Sequence, residues 1–337
     1  MAIREKKNLL SDVLKTIKKY NLIETNDKLV LGVSGGPDSL SMLDILYKIK
    51  ETKKINFNFV VAHLNHQIRK EAKEDEEFVK KYCEKNNIEF FSKSIDVCKL
   101  ANNNKISTEE AGRNARYQFF EELAKKVNAN KIAIAHNKND KIETIIMNEL
   151  RGCGITGLRG IEPVRDKYIR PLIESERKEI EKYCKENNLN PRIDKTNFEN
   201  IYTRNKIRNI VIPYIEKEFN PNFIKTMDRL SDLVKEQEEY IQKQVEKTYE
   251  EILIEEDKNN FIILDLKKFN KQEKVIKSNI IIYTVTRLFD TAKGIEKVHI
   301  EDIIKLCNNN IGNKFLTPNK NLKVFVKNAK VTFSRQI

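Results

Sequence analysis

The 337 residues suffice for two domains of roughly 150 residues each, and 39% hydrophobic residues allow ordinary cores. With 63 Lys and Arg against 50 Asp and Glu, the formal net charge of +13 favours a polyanionic partner, nucleic acid first, although abundant lysine serves solubility as well. No stretch approaches the ~18 apolar residues of a membrane helix and the start has no apolar signal core; five widely spaced cysteines without a C-x-x-C pair (Cys83, Cys98, Cys153, Cys184, Cys307) argue against a disulfide framework and a zinc site, so a cytoplasmic protein is expected.

In chain order, apolar runs at 28–33, 57–64, 88–95 and 131–136 read as strands, and segments near 39–50, 72–86, 108–127 and 139–149 as helices. Such alternation predicts a parallel sheet covered on both faces, with ligands at the carboxyl ends of its strands. Three strands end in polar motifs, at Ser34–Ser39, His63–Arg69 and His136–Glu143, which should therefore converge in one cleft. After about residue 165 the pattern changes. Residues 174–187 and 203–219 look helical, and 222–252 form a long charged helical stretch without glycine or proline. A smaller unit follows, with a strand at 261–266, helices near 270–290 and 297–307, and short β-like runs near 312–334. The expected division is a catalytic domain over 1–215, a helical connector over 216–252 and a C-terminal domain over 253–337.

The stretch VLGVSGGPDSLSMLDIL, from Val30 to Leu46, holds the most specific chemistry. A Walker loop needs G-x-x-x-x-G-K-[ST], whereas this turn has no lysine. Gly35 and Gly36 allow a tight turn and close backbone approach. Pro37 suits the first helical position, and the free N–H groups at the helix start can cradle an anion, with the Ser34 and Ser39 hydroxyls as further donors. Asp38 is the informative residue. A carboxylate beside a triphosphate is repelled unless a cation lies between them, so Asp38 points to Mg²⁺ bridging to phosphate oxygens. The plainer alternative is that Asp38 only favours the helix N-terminus.

This loop resembles the signature of the PP-loop ATP pyrophosphatases, which cleave ATP between the α and β phosphates and use the AMP to activate a carbonyl-type oxygen. Further stretches are similar to one branch, the tRNA(Ile)-lysidine synthetase family. Residues 61–83 match its H-x-N-H-x-L-R segment, with Ile68 for Leu, and 109–120 match A-R-x-x-R-Y, with Gly112 for alanine. Residues 135–161 match H-x-x-D-D-x-x-E-T and L-R-G-x-G-x-x-G-L, with Asn139 in place of the first Asp. Residues 169–184 and 194–213 match its R-P-L and D-x-[ST]-N…Y-x-R-N-x-[IL]-R elements, and 261–337 resemble its C-terminal domain more weakly.

The resemblance implies an α/β fold: a doubly wound, mainly parallel sheet of the PP-loop, adenine nucleotide alpha hydrolase-like type, then a helical connector and a small α+β C-terminal domain that binds tRNA. It implies a ligase acting on tRNA(Ile) with a CAU anticodon. ATP adenylates the C2 oxygen of the wobble cytidine, and the ε-amine of free L-lysine displaces AMP to give lysidine. ATP-binding residues are then Ser34, Gly35, Gly36, Pro37, Asp38, Ser39 and His63, with Asp38 also the Mg²⁺ ligand. A homodimer is left open.

The remaining candidates follow from chemistry. His136, Asp140 and Glu143 lie at i, i+4 and i+7, so one helical face can present all three to a cationic amino acid. The lysine ε-amine, with a pKa near ~10.4, must lose a proton before attack, and a nearby carboxylate can accept it. A solvated acidic face is the alternative. Arg113 and Arg116 can grip phosphate or the activated base, Arg113 in the catalytic set and Arg116 on tRNA, or can pair with Glu109, Glu110 or Glu121 at the surface. His63 and His66 flank Asn65 and can contact ATP or the cytosine. Arg204, Lys206 and Arg208 fit phosphate contacts on tRNA, with Asn205 holding the backbone; for Lys206 a solvated face serves equally. Residues 151–160 are too glycine-rich for a helix and read as a mobile loop. Cys153 is the sole cysteine placed near the cleft, which counts against a PP-loop tRNA thiolase and its sulfur relay. A non-catalytic nucleotide-sensing RNA-binding protein would leave Asp140 and Glu143 idle.

Overall fold

Leu29, Val30 and Leu31 are all fully buried in the first strand, β1 (Lys28–Gly32), because both of its faces are covered. The computed structural model describes residues 8–67, 72–192, 199–200, 202–309 and 315–336. Ile68, Arg69 and the Asp194–Asn197 element lie outside the described residues.

After helix α1 (Leu9–Lys19) and β1, the chain alternates α2 (Pro37–Glu51), β2 (Asn58–Asn65), α3 (Ala72–Lys85), β3 (Phe90–Ser94), α4 (Val97–Asn104), α5 (Thr108–Lys126), β4 (Lys131–Ala133) and α6 (Lys138–Leu150). A short antiparallel pair, β5 (Val164–Arg165) and β6 (Tyr168–Ile169), completes the sheet. Among the described residues its order is β3-β2-β1-β4-β6-β5, and β1 pairs in parallel with both β2 and β4. Strand order therefore reverses between β1 and β4, the kind of point where open α/β sheets bind ligands.

Alternate residues of β1 feed opposite layers. Leu29 and Leu31 pack with Val13 and Ile17 of α1 and Leu40 and Leu43 of α2. Val30 packs with Val60, Ala62 and the α5 residues Phe119, Phe120 and Leu123. Gly32 permits that second layer its closeness, since a Cβ there would meet the Phe120 ring at 2.6 Å.

Beyond the sheet come α7 (Arg177–Glu186), α8 (Thr203–Lys206), a π-helical turn (Ile207–Val211), α9 (Ile212–Glu218) and α10 (Phe223–Ile252). Ile207, Ile212 and Ile224 pack on Ile142, Ile145 and Ile146, which fixes this segment against α6.

The chain divides into compact units Met1–Asp232 and Leu233–Ile337. The second holds β7 (Leu253–Asp257), β8 (Phe261–Asp265), α11 (Leu266–Asn270), α12 (Lys274–Phe289), α13 (Lys297–Asn309), β9 (Phe315–Asn319), β10 (Leu322–Lys327) and β11 (Lys330–Arg335). Its antiparallel sheet runs β7-β8-β11-β10-β9. Ile262, Leu264, Val324, Val331 and Phe333 form one buried core with Ile280, Ile281 and Val285 of α12 and Ile303 of α13. A mainly parallel sheet followed by a small α+β unit is the fold class that the resemblance implied. No described helix is long and apolar enough to cross a membrane.

Candidate active site

The phosphate loop is held by its own hydrogen bonds. Gly35 has φ +88°, a left-handed conformation that a side chain would strain, and Gly36 caps α2 with Pro37 at its start. Ser39 Oγ accepts from the Ser34 N–H at 3.1 Å and donates to the Gly36 carbonyl at 3.2 Å. Leu40 N–H is bonded back to Gly36 O at 2.9 Å, as an intrahelical bond. The N–H groups of Asp38 and Ser39 precede it, in the turn that leaves helix donors available to an anion.

Asn137 joins this loop to the next strand end. Fully buried, it caps α6: its Oδ1 accepts from Asp140 N–H at 3.0 Å, and its own N–H donates to Asp140 Oδ2 at 3.0 Å. Its Nδ2 donates to Asp38 Oδ1 at 3.0 Å. The starts of α2 and α6, reached from the neighbouring strands β1 and β4, are thus tied through one amide. Burial, and then the charge of Asp140, push the half-buried Asp38 carboxyl up to about 6, against the pull of Arg177, Asn137 and Arg208. Burial also pushes Asp140 upward, but Arg204, His136, Arg177 and Arg208 outweigh it and hold this carboxylate below its usual range.

Glu143, one turn further on, has no exposed surface. Arg208 Nε donates to its Oε1 at 2.7 Å and Nη2 to its Oε2 at 2.8 Å; Arg204 Nε donates to Oε2 at 2.9 Å, and Arg177 Nη2 to Oε1 at 3.3 Å. Arg204 and Arg208 also reach Asp140 Oδ1, at 3.2 and 2.9 Å. Three guanidinium groups therefore enclose two carboxylates. Four-residue spacing places Arg204 and Arg208 on one helical face, turned towards α6, whereas Lys206 between them is exposed.

Arg177 carries no signal in the local sequence pattern. Its position depends on Asn139, whose Oδ1 accepts the Arg177 backbone N–H at 2.9 Å. An amide does this as well as a carboxylate would, which accounts for Asn139 where the family has aspartate. Gly112, the other departure, lies against the His66 ring, and a Cβ there would stand 3.4 Å from it, room enough for an alanine.

Two histidines of the candidate site, His63 and His136, are held by defined hydrogen bonds. His63 is buried, and its Nδ1 lies 2.9 Å from the Val33 carbonyl, so that nitrogen carries the proton. Burial holds its pKa below the usual value. His136 Nδ1 accepts from Arg170 Nε at 3.2 Å. Burial, helped by the cations Arg170, Arg204 and Arg116, brings His136 down to about 4 despite Asp140. Arg170 itself, buried, donates from Nη1 to the Glu162 carbonyl at 2.6 Å and so ties the R-P-L segment to His136.

Arg113 and Arg116 are exposed: Arg113 lies over the Tyr117 ring at 5.5 Å and Arg116 Nη2 is 3.5 Å from His66 Nε2. Glu121, one of their expected surface partners, instead accepts from Tyr168 at 3.0 Å. The glycine-rich 151–160 segment holds a 3₁₀ turn at Ile155–Arg159, pinned where Asn148 donates to the Gly157 carbonyl at 3.0 Å.

Cys153 is not the cysteine beside the loop. Buried Cys184 is, with Sγ 3.0 Å from Ser41 Oγ and 3.7 Å from the Pro37 carbonyl. Burial raises its pKa, and the thiol is packed against Ser41 and Pro37. Alkylation at mildly alkaline pH is expected to label exposed Cys98 and Cys153 and to spare Cys83, Cys184 and Cys307, as the mass of the treated native protein will report.

Among the described residues no group of three or more His, Cys, Asp or Glu side chains could hold a metal ion. A cation here would be shared between Asp38 and substrate phosphates, the manner in which Mg²⁺ is commonly bound. The poorly compensated Asp38 carboxylate fits that arrangement.

Residues 6–215 match the family model of the PP-loop domain. The tRNA(Ile)-lysidine synthase of Clostridium acetobutylicum is 46% identical over 313 residues, 92% of this chain and 67% of that protein. That of Clostridioides difficile is 43% identical over 330 residues, 97% of this chain and 71% of that protein. Among solved structures, the U34-tRNA thiolase NcsA of Methanococcus maripaludis aligns with a TM-score of 0.56 at 20% identity, over 67% of this chain and 78% of that one, a likeness of fold alone. The loop, the convergence of three strand-end motifs and these relationships agree: the chain belongs to the tRNA(Ile)-lysidine synthase family of PP-loop proteins.

Proposed function

We propose that this chain ligates L-lysine to C2 of the wobble cytidine of a CAU-bearing tRNA(Ile), with ATP cleaved to AMP and diphosphate, in the cytoplasm. The observation that carries this reading is the meeting of a lysine-free phosphate loop, ending in Asp38, with the buried carboxylates Asp140 and Glu143 across the β1–β4 switch point. Relatives named tRNA(Ile)-lysidine synthase support it.

In this reading the α2 N–H groups and the Ser34 hydroxyl hold the phosphates of ATP. Asp38 would hold Mg²⁺, which supplies neutralisation of phosphate charge. The cytidine C2 oxygen attacks the α-phosphorus, the bond to the β-phosphate bridge breaks and diphosphate leaves. The lysine ε-amine then attacks C2, loses its proton, and AMP departs with the former C2 oxygen. Neutral His63 and His136 lie beside the loop and the acidic pair and can take part in hydrogen bonds without adding charge.

Asp140 and Glu143 take an ammonium group of lysine. To do so they exchange hydrogen bonds now made by Arg204 and Arg208, whose guanidinium groups are then available to RNA phosphate. Arg113, Arg116 and Lys206 form the exposed cationic rim. The test is incorporation of radiolabelled lysine into tRNA. ATP should support it, ADP should not, and a tRNA with uridine at the wobble position should be refused. Diphosphate release that does not depend on tRNA, with no lysine incorporated, would sink the reading.

A further inference from the structure

Within the first unit, a cavity of about 430 Å³ is lined by Lys138, Asn222, Lys225, Asp228 and Arg229. Lys138 begins α6, and together with Lys141 it faces the start of α10, a different flank of the helix from Asp140 and Glu143. The cavity plays no part in the chemistry proposed above.

Its charges are unequally matched. Asp228 is compensated twice, by Lys138 Nζ at 2.7 Å and Lys141 Nζ at 2.9 Å. Lys225, whose side chain is 58% exposed, has Glu176 as a partner only at 3.8 Å. Arg229, also exposed, donates to a neutral group, Thr226 Oγ1, at 3.5 Å. The lining therefore combines three cations with one carboxylate that is already satisfied. Such a site attracts an anion, and its open mouth lets a polymer backbone enter and leave.

We propose that this cavity binds a phosphate group, namely a backbone phosphodiester of the RNA whose wobble base is worked on at the other flank of α6. The inference rests on the function proposed above. One helix diameter, about 10–12 Å, separates the two flanks, a span that a few nucleotides of an unstacked anticodon loop cover. Lys225 and Arg229 make the contact, and the Lys138–Asp228 pair shapes the floor.

The test is the full chain carrying Lys225→Gln and Arg229→Gln together. Both side chains are exposed, so the melting temperature should not move. Affinity for tRNA should fall roughly five- to tenfold near 0.1 M salt, and the slope of log affinity against log salt should become shallower by about 1. The KM for tRNA should rise while kcat and ATP affinity hold, and Lys225→Arg with Arg229→Lys should restore the slope. Unchanged affinity and slope in a folded double variant would overturn the proposal. So would protection of the wild type by inorganic phosphate, lost in the double variant, with tRNA binding unaltered; the cavity would then belong to free phosphate. If the wild type binds no tRNA at all, the ligase reading fails first and this inference with it.

Discussion

Replacing Asp38 by Asn is expected to give a protein that is more stable than the wild type and catalytically dead. The stability half follows from the carboxyl's position, which raises it from 3.8 to about 6 chiefly by burial. A native state that binds the proton more tightly than the unfolded chain loses stability as pH climbs through that interval. At pH 7, without ATP or Mg²⁺, the ionised carboxylate costs the wild type about 2 kcal/mol after allowance for its partial exposure. Asparagine removes that cost while its Oδ1 can still accept from Asn137. The gain should be full above about pH 6 and vanish below about pH 4. Urea denaturation of both proteins across that range checks it. The catalytic half follows from the loss of the group that would share a cation with the phosphates: diphosphate release should fall by roughly a hundred- to a thousandfold. Normal release by Asp38→Asn, or by the wild type in excess chelator, would contradict the role given to Asp38.

Glu143 should behave in the opposite way. It is fully buried and accepts four hydrogen bonds from three arginines. Glu143→Ala leaves those cations partly buried without their partner, which typically destabilises by about 3–5 kcal/mol, or roughly 10 °C in melting temperature for a unit of this size. Arg208→Ala should cost less in the Glu143→Ala background than in the wild type, the mark of a coupled pair. Glu143→Gln keeps the shape and loses the charge. It and Asp140→Asn should raise the KM for lysine about ten- to a hundredfold, the value of a charge-assisted hydrogen bond of about 1.5–3 kcal/mol, while ATP affinity changes little. Unchanged lysine KM in both would move the amino-acid pocket elsewhere.

These two residues also mark what a single sequence can disclose. Strand–helix alternation predicted the sheet, and the carboxyl-end rule predicted that the motifs after β1, β2 and β4 would meet; the Asn137–Asp38 and His63–Val33 hydrogen bonds are that meeting. Periodicity placed His136, Asp140 and Glu143 on one helical face, but α6 begins at Lys138 with Asn137 as its cap, so His136 lies before the helix and only the two carboxylates share it; nor could periodicity say which cations would face them. Arg177 reaches Glu143 from a helix 34 residues away, held by Asn139, and no local pattern records such a contact. For Arg204 and Arg208 the basic run suggested a surface, yet the buried neighbours Ile207 and Ile212 turn their face inward. β5 and β6, two residues each, are too short for any alternation to register. Ile155–Arg159 turns tightly where glycines alone suggested a loop, because Asn148 braces it from α6.

Lysine transfer is tested most directly by mass spectrometry of the nucleosides from CAU-bearing tRNA(Ile) treated with the purified protein, ATP, Mg²⁺ and lysine. The wobble cytidine should be replaced by a nucleoside heavier by one lysine less one water, with AMP and diphosphate released alongside. Unmodified cytidine in tRNA that the protein demonstrably binds, or a base carrying sulfur, would contradict it.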